Sequence, residues 1–225
     1  MSAPNAAPRG KDPDGQPISP RPGHRPPADP QNAALVVIDY QPSQVQTVNS
    51  MDRELLVDNI VSVARLARTF DLPVVLSTIN VANGQQPTIP ELKAVLSDSV
   101  ELDRTVINAW EDPAFRQAVE ATGRRKLIMT ALWTEVCLAF PSLDALRDGF
   151  EVFPVVDAVG GTSPEAHRSG LERIGQAGAP ADQLGVAGLR AAAGLGPCRH
   201  GRRRGRHRAH HPAARQRLSG STRCD

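Results

Sequence analysis

Residues 33–39 read Ala-Ala-Leu-Val-Val-Ile-Asp, a continuous apolar run closed by an acid, the pattern of a strand covered on both faces. Two similar runs occupy 73–78 and 126–131, and 151–156 predicts a fourth strand. Between these runs the period changes. Leu56, Ile60, Val63, Leu66 and Ala67 form one stripe of a helix over 53–70. Asp112 and Pro113 supply a cap and a first-turn proline for a helix through Val119 that stops near Gly123. Residues 134–147 read as a helix ended by Gly149, and Ser163-Pro164 opens a last helix reaching Gly175. Strands alternating with helices predict an α/β fold, a three-layer, doubly wound parallel sheet with right-handed crossovers and helices on both faces. In such sheets the ligand sits outside the carboxyl ends of the strands, where Asp39, Thr130 and Asp157 fall.

Composition divides the 225 residues into three segments. Residues 1–32 hold nine of the twenty prolines and no aromatic, and read as a disordered tail that cannot offset its ordering entropy. All eight aromatic residues fall between Tyr40 and Phe153, which places the folded core, one domain, within 33–180. From Cys198 onward there are nine arginines, four histidines and one acid, a net of +8 against −6 for residues 1–197. The pI near 8.6 therefore describes the tail rather than the domain. Three cysteines without metal-type spacing, no long apolar stretch and no signal-like opening predict a cytoplasmic protein with no disulfide framework, no zinc site and no membrane segment.

The strand-end rule focuses on 131–137, Ala-Leu-Trp-Thr-Glu-Val-Cys. Cys137 falls in the first turn of the helix after the third apolar run, with Thr134 as the expected N-cap. The positive end of a helix dipole predicts a lowered thiol pKa, a nucleophilic thiolate, and backbone N–H groups able to hold an oxyanion. A small buried hydrophobe is the competing reading of a lone cysteine, and a loop-entry acid that of Asp39.

In combination these segments resemble the isochorismatase-like cysteine hydrolases. The resemblance rests on Ile38-Asp39-Tyr40-Gln41, on Leu132-Trp133-Thr134-Glu135-Val136-Cys137, and on Val156-Asp157-Ala158 followed by Gly160-Gly161-Thr162. Within that family, 107–112 (Ile-Asn-Ala-Trp-Glu-Asp), 134–141 and Gln176-Ala177-Gly178 resemble the YcaC-related subgroup. The resemblance implies a catalytic triad, with Cys137 as nucleophile and Asp39 as the acid/base. The third position, usually lysine, is Arg104 here, as in that subgroup. Arginine cannot realistically give up its proton, so its implied role is electrostatic: keeping Asp39 ionised, stabilising the thiolate, and steering an anionic or carbonyl-bearing substrate. The family also implies a cis peptide at Trp133–Thr134 shaping the oxyanion site, with Gln41 and Asn108 as substrate-pocket candidates. A small-molecule substrate, a homo-oligomer, no cofactor and no metal complete the expectation. Metal-dependent nicotinamidases of the superfamily carry an Asp/His cluster after the second strand, whereas 80–87 here read Asn-Val-Ala-Asn-Gly-Gln-Gln-Pro. His167 reads as a solvated or capping residue rather than a base.

The resembled proteins continue after Gln-Ala-Gly with a further strand and a helix containing a segment like Cys-Glu-Leu-Gln-Arg-Asp-Trp. Residues 180–197 lack that pattern, yet permitted codons for them, read one base later, spell such an ending. The reading for 181–225 is thus an out-of-frame tail, a frameshift near 178–180. Three rival functions and one inactive form stand beside the cysteine hydrolase. A nucleic-acid binder would use the arginines of 199–208, but no aromatics interleave them. A dinucleotide enzyme lacks G-x-G-x-x-G after the first strand, and no G-x-S-x-G marks a serine hydrolase. A non-catalytic relic would follow from loss of the last strand and helix.

Overall fold

Residue 38 is where the central strand ends, and every position before it back to residue 33 is buried. In the computed structural model, which describes residues 31–179 and residue 185, this strand, β1 (Ala33–Ile38), lies between β2 (Val74–Ile79) and β4 (Lys126–Ala131). The edges among the described residues are β3 (Glu101–Arg104) beside β2 and β5 (Glu151–Pro154) beside β4. All pairings are parallel, in the order β3-β2-β1-β4-β5. The helices are α1 (Pro42–Gln46), α2 (Arg53–Thr69), α3 (Pro90–Val95), α4 (Pro113–Ala121), α5 (Ala139–Arg147) and α6 (Pro164–Gln176).

The unbroken apolar run of β1 serves two cores. Ala34, Val36 and Ile38 pack with Phe115 and Val119 of α4, Ala145 of α5, and Leu171 and Ile174 of α6. Ala33, Leu35 and Val37 face the other way, onto Leu56, Ile60 and Val63 of α2 and Leu92 of α3. Helices thus cover both faces of a parallel sheet, the expected doubly wound architecture. Caps fix the helix starts. Asp52 accepts from the Leu55 N–H, Asp112 from Phe115 and Ser163 from Ala166, with proline in the first turn of α4 and α6.

The periodicity missed one strand and two α-helices among the described elements. Strand β3 is Glu-Leu-Asp-Arg, with no apolar run, because an edge strand bonded only to β2 needs little cover. Helices α1 and α3 are five and six residues long, too short for a stripe, and each is announced only by its proline. The expected helix over 134–147 is two elements, a π-helical turn at Thr134–Leu138 leading into α5. The readings of 1–32 as a tail and of 181–225 as an out-of-frame end lie outside the described residues, apart from Gln31, Asn32 and Gly185.

Helix α6 is seated directly on the π turn. A Cβ at Gly170 would stand 2.9 Å from the Glu135 Cα and 3.0 Å from both the Glu135 N and the Thr134 O. Those are backbone atoms, which cannot give way cheaply. Gly170→Ala is therefore expected to lower stability by about 1–3 kcal/mol through overpacking, read as an earlier urea midpoint with an unchanged slope.

Candidate active site

Strand register carries Asp39 and Arg104 to the same end of the sheet. Ile38 pairs with Ser77 and Ala131, while Ile79 pairs with Arg104. The Arg104 side chain crosses β2 to reach Asp39 and forms two parallel bonds, Nη1 to Oδ1 and Nη2 to Oδ2, each 2.6 Å. Side-chain exposure is 1% for Arg104 and 0% for Asp39, so the ion pair is dry. Nη1 also donates to Ser77 Oγ and the Thr78 carbonyl at 3.1 Å, and Nη2 to the Ile107 carbonyl at 3.2 Å. Both terminal nitrogens are fully spent. No terminal N–H of Arg104 is left to bond a substrate directly, and its Nε is buried with no hydrogen-bond partner, so a steering role would act through the charge of the guanidinium.

Local backbone geometry serves this pair. Asp39 sits at φ 62°, a left-handed conformation costing about 1 kcal/mol or more for a residue with a Cβ. Its N–H donates to the Ser77 carbonyl at 2.9 Å and its carbonyl accepts from Gln41, a turn that ends β1 and directs the carboxylate across the strand tips. Asn80, at φ 59°, donates its N–H to the Arg104 carbonyl at 2.8 Å. Asp103 accepts from the Val81 and Ala82 N–H groups at 2.9 Å each. Desolvation of that carboxylate is outweighed by these two bonds, Thr78 and the nearby Arg104 charge, which hold its pKa below the ordinary value. Ser77, Thr78, Asn80 and Asp103 were not singled out from sequence; the hydroxyl pair closing an otherwise apolar strand was their one visible signal.

Cys137 is brought to the same place. It is buried in the π turn, near enough to Asp39 for the carboxylate to act on its thiol. Burial first, then the Asp39 charge and hydrogen bonding to that carboxylate, push the thiol up to about 12; Arg104 and a hydrogen bond from the Trp133 backbone pull only partly back. The lowered pKa expected of a helix N-terminus is thus overturned. A dipole end is a partial charge in the first turn, and a full carboxylate in contact outweighs it. For Arg104, burial opposes the charged form, but the bonds and charge of Asp39, with smaller help from Cys137 and Asp112, raise its pKa overall.

The neighbouring residues also differ in part from expectation. The cis peptide is Leu132–Trp133, one bond earlier than Trp133–Thr134. Trp133, not Thr134, occupies the N-cap position. The Thr134 N–H donates to the Gly160 carbonyl at 2.9 Å and is therefore engaged, while the Trp133 backbone acts on the Cys137 thiol. Gln41 and Asn108 are spent on the framework. Gln41 donates to the Ile79 and Gln86 carbonyls at 3.0 and 2.7 Å and accepts from the Ile79 N–H at 2.9 Å. Asn108 caps the 3-10 turn Ala109–Glu111 and donates to Asp144 at 2.7 Å. Among the described residues, no group of three His, Cys, Asp or Glu side chains is placed to hold a metal ion, and no helix is long and apolar enough to cross a membrane.

Residues 33–182 match the Isochorismatase domain family. The chain is 38% identical over 152 residues to a probable hydrolase, YcaC, of Escherichia coli (strain K12), covering 67% of this chain and 73% of that protein. The crystal structure of the E. coli YcaC gene product, described as an octameric hydrolase of unknown specificity, superposes with a TM-score of 0.70 at 35% identity, over 76% of this chain and 84% of that one. YcaC from Pseudomonas aeruginosa, solved with hexane-2,5-diol and covalent acrylamide, gives 0.69 at 34% identity, over 75% and 82%. A nicotinamidase from Bacillus subtilis, 18% identical with a TM-score of 0.58, shares the fold.

Two substitutions separate the parts of the pair. Arg104→Gln strands a buried carboxylate and is expected to cost about 3–5 kcal/mol of stability, measured by chemical denaturation. Asp39→Asn removes the charge that raises the thiol and leaves Arg104 unopposed, so the thiol pKa should fall from about 12, measured from the pH dependence of iodoacetamide alkylation. An unchanged or higher value in that variant would refute the electrostatic account of the thiol.

Proposed function

Because this chain belongs to the isochorismatase family, we propose that it is a cysteine hydrolase that attacks a small amide or related C–N carbonyl substrate and proceeds through a thioester. The observation that carries the reading is the buried contact between the Cys137 thiol and the Asp39 carboxylate, itself clamped by Arg104. In the first step the Asp39 carboxylate accepts the thiol proton as the S–C bond forms, and the carbonyl electron pair moves onto oxygen beside the Trp133 N–H. The oxyanion then collapses, the C–N bond breaks, and the departing amine takes the proton from Asp39. Water, deprotonated in turn by Asp39, attacks the thioester, and release of the acid returns the proton to sulfur. Arg104 moves no proton; it keeps the carboxylate ionised and fixed.

The raised thiol pKa supports proton transfer concerted with attack rather than a standing thiolate. The covalent acrylamide in the P. aeruginosa relative supports the choice of an electrophilic amide as first probe. The same reading carries a cytoplasmic homo-oligomer, after the octameric E. coli relative.

A panel of small carboxamides, followed by ammonia or amine release, tests the reading. Cys137→Ala should lose activity by about three orders of magnitude or more, whereas equal rates in the two proteins would remove the nucleophile assignment. Arg104→Lys is expected to keep part of the activity, because an ammonium can still bond the Asp39 carboxylate but cannot reproduce the two-bond fork.

A further inference from the structure

We propose that His167, on α6, is a positioning residue for this site: it pins Thr134 and thereby holds the Trp133 backbone N–H over the Cys137 sulfur. The inference rests on the reading of Cys137 as nucleophile given above.

Thr134 is fully buried and tied on two sides. Its N–H donates to the Gly160 carbonyl at 2.9 Å, and its hydroxyl shares a hydrogen bond of 2.8 Å with His167 Nδ1. The backbone of α6 at His167 is held close to the glycine segment. A Cβ at Gly161 would lie 2.9 Å from both the His167 Cβ and N and 2.6 Å from Glu135 Oε2. Glu135, beside Thr134, accepts from the Thr162 N–H at 3.0 Å and its hydroxyl at 2.6 Å, closing the 160–162 segment onto the same turn. One turn further along α6, Gly170 rests on the Thr134 and Glu135 backbone. Helix, glycine segment and π turn therefore interlock, and the only polar side chain that α6 places on Thr134 among the described residues is His167.

The consequence falls on Trp133. Its carbonyl accepts from the Val136 and Leu138 N–H groups, both at 3.1 Å, so one side of the residue belongs to the π turn. Its other side acts on the Cys137 thiol, which lies four residues on in the same π turn. The N–H lies in the Leu132–Trp133 peptide and the carbonyl in the Trp133–Thr134 peptide, so the Trp133 backbone dihedrals relate the two sides, and Thr134 is the end of the second plane gripped by α6. Half-burial lowers the imidazole pKa, opposed by Glu135, which favours a neutral ring bonded to the hydroxyl. His167 touches no reacting atom; it acts through Thr134. This departs from the solvated or capping role expected from sequence.

Two reactions of Cys137 separate oxyanion support from simple integrity. Acylation by p-nitrophenyl acetate passes through an oxyanion; alkylation by iodoacetamide does not. In His167→Leu, acylation should slow about tenfold, a partial loss of the 10²–10³ that one oxyanion donor supplies, while alkylation stays within about twofold. His167→Asn, whose carboxamide reaches the position of Nδ1, should restore most of the acylation rate. Thr134→Val removes the other partner and should show the same split, with no further loss when combined with His167→Leu. Parallel loss of both reactions, or acylation unaffected in His167→Leu and Thr134→Val, would overturn the proposal. Acylation of the wild type that survives in Cys137→Ala would instead overturn the nucleophile reading on which it rests.

Discussion

A carboxylate and a guanidinium taken out of water together organise this site. Removing either ion from solvent costs several kcal/mol, and the cost is offset only when geometry and remaining hydrogen bonds are nearly complete. Asp39 and Arg104 meet that condition through two 2.6 Å bonds, with Ser77, Thr78 and Ile107 accepting the remaining terminal guanidinium protons. Meeting it dictates much else. The tips of β1, β2 and β3 must be level, Asp39 must turn through a left-handed backbone conformation, and the loop after β2 must be tied to Asp103 and the Arg104 carbonyl.

The pair also sets the chemistry available to sulfur. Its charges cancel, but the carboxylate is in contact with the thiol, so the local balance favours the proton staying on sulfur. In the proposed mechanism a nucleophile held in that form is quiet towards passing electrophiles and is activated as a carbonyl carbon reaches it. In that proposal Asp39, already beside the thiol, is the base, so no group needs to reorganise at that moment.

Strands β1, β2 and β4 were legible in the sequence because burial on both faces leaves an unbroken apolar run, and Asp39 was legible as the acid that ends one of them. The cysteine was legible as a residue following a strand. Arg104 was not visible by pattern, since it ends a short charged edge strand; resemblance to a family supplied it. Thiol electrostatics were misread because the argument considered the helix alone, whereas the dominant charge comes from Asp39, nearly a hundred residues away in the chain. Gln41 and Asn108 carry the right groups for a pocket, but their amides are consumed by backbone and by α5, which only the tertiary structure reveals. His167 was underrated for the opposite reason: its partner, Thr134, lies across a helix–turn contact made possible by glycines whose packing role has no sequence period.

The central claim is that burial and the Asp39 carboxylate together keep Cys137 protonated at rest, against the partial pull of Arg104. Direct titration of the wild-type thiol by its ultraviolet thiolate absorbance, with Cys137→Ala subtracted, tests it. The account predicts no thiolate from Cys137 at neutral pH and a midpoint near about 12; a thiolate already formed at neutral pH would contradict it.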